Sequence, residues 1–174
     1  PANSRGHLAG FDQVERGSLL ELEPPAHTRL RTLVNRAFVS RAIERLRPRI
    51  EALSHELIER FPTDQPFDLL PAFATPIPLV IICELLGVPA EESENLLDWS
   101  HAMCGMYVPH RTREVEDIAN AAALAFHDFL TRHITAHGKA GADDLLSSLI
   151  AVREDDGVLA LERIGVRELR AVRR

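Results

Sequence analysis

Apolar residues recur at three- and four-residue spacing along most of the chain, which is the period of an amphipathic helix. One such stripe consists of Leu30, Leu33, Val34, Ala37 and Phe38. Alternation with a period of two, which would indicate strands, is nowhere sustained, and the sequence has only seven Phe, one Tyr and one Trp. The pattern therefore predicts an all-α protein of about seven helices joined by short loops.

Prolines and glycines mark the expected ends of helices. Pro24 and Pro25 fit the first turn of one helix, and Pro89 restarts another after a stop at Gly87. Residues 78–86, before that stop, are apolar nearly all round, so residue type alone would also allow a strand. Because Gly87 stands where a helix would end, we expect a buried central helix there.

The second half of the chain is dominated by one long helix, predicted from about residue 113 to residue 137 and ended by Gly138. Residues 103–109, which precede it, are expected to form a loop with Met, Tyr and Val side chains. A last clear helix should follow Asp143 as its cap. Residues 1–20 are expected to be loop with one short helix.

Composition places the chain among soluble globular proteins. Its 174 residues suit one domain, and its 45% hydrophobic and 26% charged residues exclude a disordered chain. The net charge of −6 excludes a sequence-wide basic footprint for nucleic acid, and no apolar run is long enough to span a bilayer. Cys83 and Cys104 form no metal or disulfide pattern. We therefore expect a cytoplasmic protein with no nucleic-acid partner and no membrane segment.

One basic pair is a candidate for binding an anion. His27 and Arg31 are four residues apart on one predicted helix, so they project from the same face. An imidazole donor beside a guanidinium suits a carboxylate, because both hydrogen bonds would be charge-assisted. On spacing alone a structural alternative is more common, in which Arg31 pairs with Glu23 or water and His27 caps the first turn.

Other titratable clusters are expected to be structural. His133 and His137 have the spacing of metal ligands, but no acid or Cys partner stands near them at ligand spacing. The carboxylates of residues 91–94 and 114–117 are expected to be solvated charges near the starts of helices. We therefore predict no metal site.

The residues around the basic pair form a longer pattern. Residues 24–38 read Pro-Pro-x-His-Thr-Arg-Leu-Arg-x-Leu-Val-Asn-x-Ala-Phe, which closely resembles the C-helix signature of bacterial cytochrome P450 enzymes, the soluble haem-thiolate monooxygenases. Three further blocks resemble the family in the right order, at residues 40–50, 67–89 and 143–150. The resemblance covers about residues 17–157 and implies a partial P450 fold from about the C helix to the H helix, without the I helix and the haem-ligand loop.

The resemblance implies a cofactor role for the basic pair. In the family, the His and the last Arg of His-Thr-Arg-Leu-Arg bind the haem propionates, so His27 and Arg31 inherit that role. Glu23 stands where the family usually has Asp, which keeps the charge.

The resemblance also implies a substrate pocket and a partner surface. The loop before the C helix borders the pocket in the family, and residues 103–109 resemble the mobile region between the F and G helices that gates substrate entry. The resulting pocket candidates are Leu19, Leu20, Met103, Met106 and Tyr107. Arg29 and Arg36 would lie near the surface that meets an acidic ferredoxin.

The implied parent activity is insertion of one oxygen atom from O2 into an apolar small molecule. Haem b would be the cofactor of the intact parent, and electrons would come from NAD(P)H through a ferredoxin-type partner. The family's Cys ligand is not matched, because Cys83 lies in an apolar helix and Cys104 lacks the Phe-x-x-Gly context. The acid–alcohol pair of the I helix and the Glu-x-x-Arg motif are also missing, so we expect the isolated chain to be inactive and not to hold haem stably.

The end of the sequence departs from the family pattern. We divide the chain into a P450-like fragment at residues 1–157 and an Arg-rich tail at residues 158–174. One hypothesis is a shifted reading frame or a truncated gene, and the alternative is a divergent amphipathic end. Because residues 1–5 contain neither a Met nor an apolar signal region, we expect a fragment or a processed product.

A hypothesis from another class stays open. The apolar stripes and residues 103–109 would equally serve a non-enzymatic all-α module that binds a small apolar ligand or a protein partner. The two hypotheses differ in whether His27 and Arg31 bind haem.

Overall fold

The computed structural model describes residues 6–37, 44–140 and 145–147. These ranges contain α-helices, short 3₁₀ turns and a π-helical turn at Leu70–Ala74, and they contain no β-strand. The predicted all-α architecture is therefore confirmed. Six α-helices have both ends among the described residues: α1 (Ala9–Glu15), α2 (Ala26–Ala37), α3 (Arg47–Ile58), α4 (Pro76–Leu85), α5 (Ser93–Cys104) and α6 (Arg113–Ala140).

The proline and glycine signals place several helix ends correctly. α2 begins directly after Pro24 and Pro25, and the His27 N–H donates to the Glu23 carbonyl at 3.0 Å. α4 ends before Gly87, whose φ of 63° is a left-handed conformation that glycine adopts at little cost. The Val88 N–H closes this helix end by donating to the carbonyl of residue 83 at 2.8 Å.

Three details of the helix prediction are wrong. α4 is not buried all round, because Ile82 is 52% exposed while Ile81 and Cys83 are buried. Residues 103–109 are not a simple loop, since α5 runs to Cys104 and a 3₁₀ turn follows at Gly105–Tyr107. Gly138 lies inside α6 instead of ending it, because one glycine weakens a helix by only about 1 kcal/mol and does not terminate it.

Some predictions lie outside the described residues. These are the Asp143 cap, the boundary at residues 157–158 and the Arg-rich tail. Within the three ranges above, no helix has both the length and the hydropathy needed to cross a bilayer.

The α5–α6 contact forms one part of the core. The rings of Trp99 and Phe129 lie 5.7 Å apart between centroids, and Cys83 and Val88 are buried in the same cluster. His133 stacks on Phe129 at 5.6 Å, and its Nε2 atom lies 3.0 Å from the Leu86 carbonyl oxygen. His133 therefore has a ring contact and a polar contact within the core. Among the described residues, no group of three or more His, Cys, Asp or Glu side chains could hold a metal ion.

α1 is attached to α6 by a side-chain cap. The residue that precedes α1, Leu8, offers no side-chain acceptor to the first N–H groups of this helix. Instead, Asn120 Oδ1 accepts the N–H of Gly10 at 2.8 Å and the N–H of Phe11 at 3.1 Å. A Cβ atom on Gly10 would lie 2.5 Å from Leu124 Cγ, so glycine permits the close approach of these two helices.

Replacing Asn120 should loosen α1 from α6. We expect Asn120→Ala to speed amide hydrogen exchange at Gly10 and Phe11 by about tenfold, because two backbone donors lose their acceptor. Asn120→Asp keeps an acceptor oxygen and should retain most of the protection. Equal exchange in the two variants would contradict the cap. Mass-resolved exchange of the intact chain provides the measurement.

Candidate functional site

The basic pair lies on one face of α2, as its spacing predicts. His27 is half-buried and Arg31 is exposed, one helical turn further along. α2 is held in place by Leu30, which is buried against Leu19 and Leu22. In the described part of the chain neither His27 nor Arg31 has a side-chain hydrogen bond or an ion pair, so the structural alternative of an Arg31–Glu23 pair is not formed.

This arrangement fits an anionic ligand with carboxylate groups. A guanidinium supplies a planar set of N–H donors that matches a carboxylate, and an imidazole one turn away supplies a further N–H. Both side chains lie where an external group can reach them, since neither is fully buried. The residues that are present therefore suit the propionates of a haem.

The structure separates the five predicted pocket residues. Leu19 packs on Leu30 and supports α2, while Leu20 is 78% exposed. Met103 packs against the cluster beneath α1. Met106 and Tyr107 both line one cleft among the described residues.

That cavity is a cleft of about 470 Å³ between α1 and the segment that joins α5 to α6. Met106 is 7% exposed at the cleft and belongs to a buried cluster with Phe11, Ala119 and Ala123. The cleft therefore combines an apolar floor with charged walls. Its lining residues are Phe11, Asp12, Glu15, Arg16, Glu21, Met106, Tyr107 and Arg111.

Tyr107 connects the two sides of the cleft. Its hydroxyl donates to Glu15 Oε1 at 2.7 Å, which joins α1 to the 3₁₀ turn after α5. Partial desolvation of the phenol, followed by the hydrogen bond and the negative charge of Glu15, raises the pKa of Tyr107 to about 12.

Glu116 makes a second set of connections beside α1. Its Oε2 atom lies 2.8 Å from His7 Nε2, and its Oε1 atom accepts a hydrogen bond from Arg111 Nε at 3.1 Å. The hydrogen bond from His7 is the largest cause that lowers the pKa of Glu116 below its usual value, and the charge of Arg111 acts in the same direction. One carboxylate therefore binds the turn before α1 and the segment before α6 together.

Sequence reasoning missed Glu15 and Asn120. It also predicted Glu116 to be a solvated charge, which is wrong, because Glu116 is half-buried and bonds to His7 and Arg111. Each of the three residues has a hydrogen-bond partner that is 92 to 110 residues away in the chain, so no local motif marks that contact. Arg29 and Arg36, the predicted partner-surface residues, both lie on α2; Arg29 is half-buried, and the Arg36 side chain lies outside the description.

Two relatives match most of the chain. The mycinamicin IV hydroxylase/epoxidase of Micromonospora griseorubida is 34% identical over 165 residues, which are 94% of this chain and 40% of the relative. The vitamin D(3) 25-hydroxylase of Pseudonocardia autotrophica is 38% identical over 154 residues, which are 88% of this chain and 36% of the relative. The chain thus spans about 40% of the length of the curated relatives it matches.

A solved structure matches the fold. The cytochrome P450 PksS of the bacillaene polyketide synthase from Bacillus subtilis 168 superposes with a TM-score of 0.75 at 30% identity. The match covers 94% of this chain and 41% of that protein. No family model matches the chain.

The single tyrosine of the sequence makes the cleft directly measurable. Titration of tyrosinate absorbance should give a midpoint near 12, and Glu15→Gln should move it toward 10 because the negative charge is removed. Since the folded pKa is raised, the stabilisation is present below pH 10 and is lost as the pH rises from 10 to 12. An unchanged midpoint in Glu15→Gln would disprove the contact.

Proposed function

Because the chain belongs to the cytochrome P450 family, we propose that it is the part of a haem monooxygenase that holds the cofactor's propionates and admits the substrate. The hydroxylases that it resembles at 34% and 38% identity support this activity. The intact protein would insert one oxygen atom from O2 into a small apolar molecule. When bound, the haem supplies the redox chemistry that activates O2.

The basic pair on α2 carries the proposal. Arg31 is exposed and His27 half-buried on one helical face, and no described acidic side chain neutralises either of them. Arg31 would bind one propionate as a charged donor, and His27 would donate an N–H to the cofactor one turn earlier. Because both donors stand on one helix, the distance between them is fixed before the ligand arrives.

The cysteines of this chain support the expectation that it is inactive when isolated. Cys83 is buried beside Val88 and Phe129, and burial, together with the charge of Glu84, raises the pKa of its thiol. A thiol with a raised pKa is a poor source of the thiolate that a haem iron needs. Cys104 is exposed at the end of α5, away from the pair on α2 in sequence and without the family's ligand motif.

Further parts of the proposal concern access and partners. Met106 and Tyr107 at the cleft would meet the entering substrate, as would Leu19, Leu20 and Met103 in the intact protein. An acidic ferredoxin-type protein would deliver electrons at the surface of Arg29 and Arg36. We place residues 1–157 in the P450-like part, and the tail outside it. The free thiols of Cys83 and Cys104 support a cytoplasmic location, where disulfides are rare.

Removing Arg31 should weaken haem binding. We expect Arg31→Ala to raise the Kd for haemin by about tenfold, because a charged donor to a propionate is lost. Arg47→Ala, which removes an exposed charge from the start of α3, should leave the Kd unchanged. The measurement is an absorbance titration of the full chain with haemin.

A second ligand separates propionate anchoring from general haem affinity. Haemin dimethyl ester lacks the two carboxylates, so Arg31→Ala and the unchanged chain should bind it equally. If Arg31→Ala binds both ligands as tightly as the unchanged chain, the anchoring role is wrong. Because this chain is expected to hold haem only weakly, weak binding of haemin agrees with the proposal as long as Arg31→Ala weakens it further. A stable monomer that unfolds in one sharp transition and has no affinity for haemin would favour the module without haem.

A further inference from the structure

Large apolar side chains stay exposed together where α3 ends and the π-helical turn begins. The rings of Phe61 and Phe67 lie 4.7 Å apart between centroids, which joins the end of α3 to the segment before the turn. Ile58, Phe67, Leu69 and Leu70 are nevertheless exposed, Leu70 to 65%. We call these five residues the apolar patch. Apolar side chains that are exposed as a group, and not singly, mark an interaction surface.

Acidic side chains surround the apolar patch. Glu59 and Asp68 are direct sequence neighbours of patch residues, and Asp64 lies in the loop between the two rings. All three residues are exposed. Residues 50–98, which include the patch, contain ten acidic residues and one basic residue, Arg60. An occupant of the patch therefore gains from carrying positive charge.

This charge disfavours a second copy of the chain as the occupant. In a twofold dimer the same patch would face itself and bring two acidic surfaces together. Like charges that are opposed across an interface cost free energy. The arginines at the start of α3 do not relieve this repulsion, because they lie at the other end of the helix, where Arg49 Nε donates to Glu84 Oε1 at 2.8 Å. A basic segment suits the patch better than a copy of the patch does.

The Arg-rich tail of residues 158–174 has the matching sequence. It lies outside the described ranges, and it contains five Arg and two Glu. On a helical period, apolar residues share one face at positions 158, 161, 169 and 172. Arginines occupy the opposite face at positions 163, 167, 170 and 174. The tail thus combines an apolar face with the charge that the patch favours.

The tail is also long enough in its connection to reach the patch. Ten residues, 148–157, join it to the last described residue, and they can span up to about 33 Å when extended. That distance is about the diameter of a small domain. A helix as short as this tail is marginal on its own in water, so an apolar surface to pack on would stabilise it.

We propose that residues 158–174 dock on the apolar patch of the same chain as an amphipathic helix. The apolar face of the tail covers Leu69 and Leu70. Its arginines have long side chains, so those at the edge of the contact reach the surrounding carboxylates of Asp64 and Asp68. This contact involves no haem and goes beyond the proposed function.

Photo-cross-linking of the full chain identifies the group that covers the patch. On irradiation, p-benzoylphenylalanine in place of Leu70 reacts with C–H bonds that touch it. We expect the main product to be a cross-link within one chain to a peptide from residues 158–174, identified by tandem mass spectrometry. The same group in place of Ile118, which is exposed on α6, is the control and should give no cross-link to the tail.

The other products would each overturn the proposal. A cross-link between two chains would identify a second copy as the occupant, and no cross-link from position 70 would show an uncovered patch. Equal cross-linking of the tail from positions 70 and 118 would show that the tail contacts the surface without preference. The emission of Trp99, the single tryptophan, checks that each variant keeps the α5–α6 core.

A matched pair of tail variants tests which face of the tail docks. Leu161→Asp and Ala160→Asp add the same charge at neighbouring positions, the first on the apolar face and the second on the side of the arginines. Leu161→Asp should lower the yield of the cross-link from position 70 by about tenfold, because a buried leucine side chain is lost. Ala160→Asp should keep most of the yield. Equal yields in the two variants, whether both fall or both stay, would overturn the docked helix.

No step of these measurements uses haem. Failure of the docked tail would therefore leave the haemin titrations of Arg31→Ala unaffected. A chain that does not bind haemin could likewise still dock its tail, so the two proposals fail separately.

Discussion

The close packing of α1 on α6 is the contact on which the cleft depends. It is possible because Ala119 and Ala123 are both 0% exposed and present almost no side-chain bulk to α1. Gly10 has no Cβ atom, which would otherwise collide with Leu124. Asn120 caps the first turn of α1 from outside the helix. The small residues Gly10, Ala119 and Ala123 and the Asn120 amide therefore fix the position of α1, which forms one wall of the cleft. Close-packed interiors tolerate little change of volume, so larger residues there would move this wall.

The sequence predicts local features of this protein better than its distant ones. The helical period, the start of α2 and the stop at Gly87 depend on neighbouring residues, and the structure confirms them. The shared face of His27 and Arg31 follows from their spacing for the same reason. The partners of Tyr107 and Asn120 cannot be predicted in this way, because they lie 92 and 110 residues away in the sequence.

The errors of prediction also have physical causes. Residues 78–86 are apolar nearly all round, which predicts burial of every face, yet only Ile81 and Cys83 of α4 are buried and Ile82 is not. The residue types show how favourable burial of each side chain would be, but they do not show which face of the helix packs against another element. Likewise, Gly105 and Met106 were expected in a loop, but packing of Met106 on Phe11 and Ala119 favours a compact 3₁₀ turn.

The segment between α1 and α2 determines whether a displacement of α1 also displaces α2. Residues 16–25 join α1 to α2, so a movement of α1 could reach α2 only through them or through packing. However, Leu19 and Leu22 pack on the buried Leu30 and tie this segment to the inner face of α2. Separating these side chains would expose apolar surface to water, which costs free energy. This contact therefore fixes the start of α2, and with it the helix face that carries the basic pair.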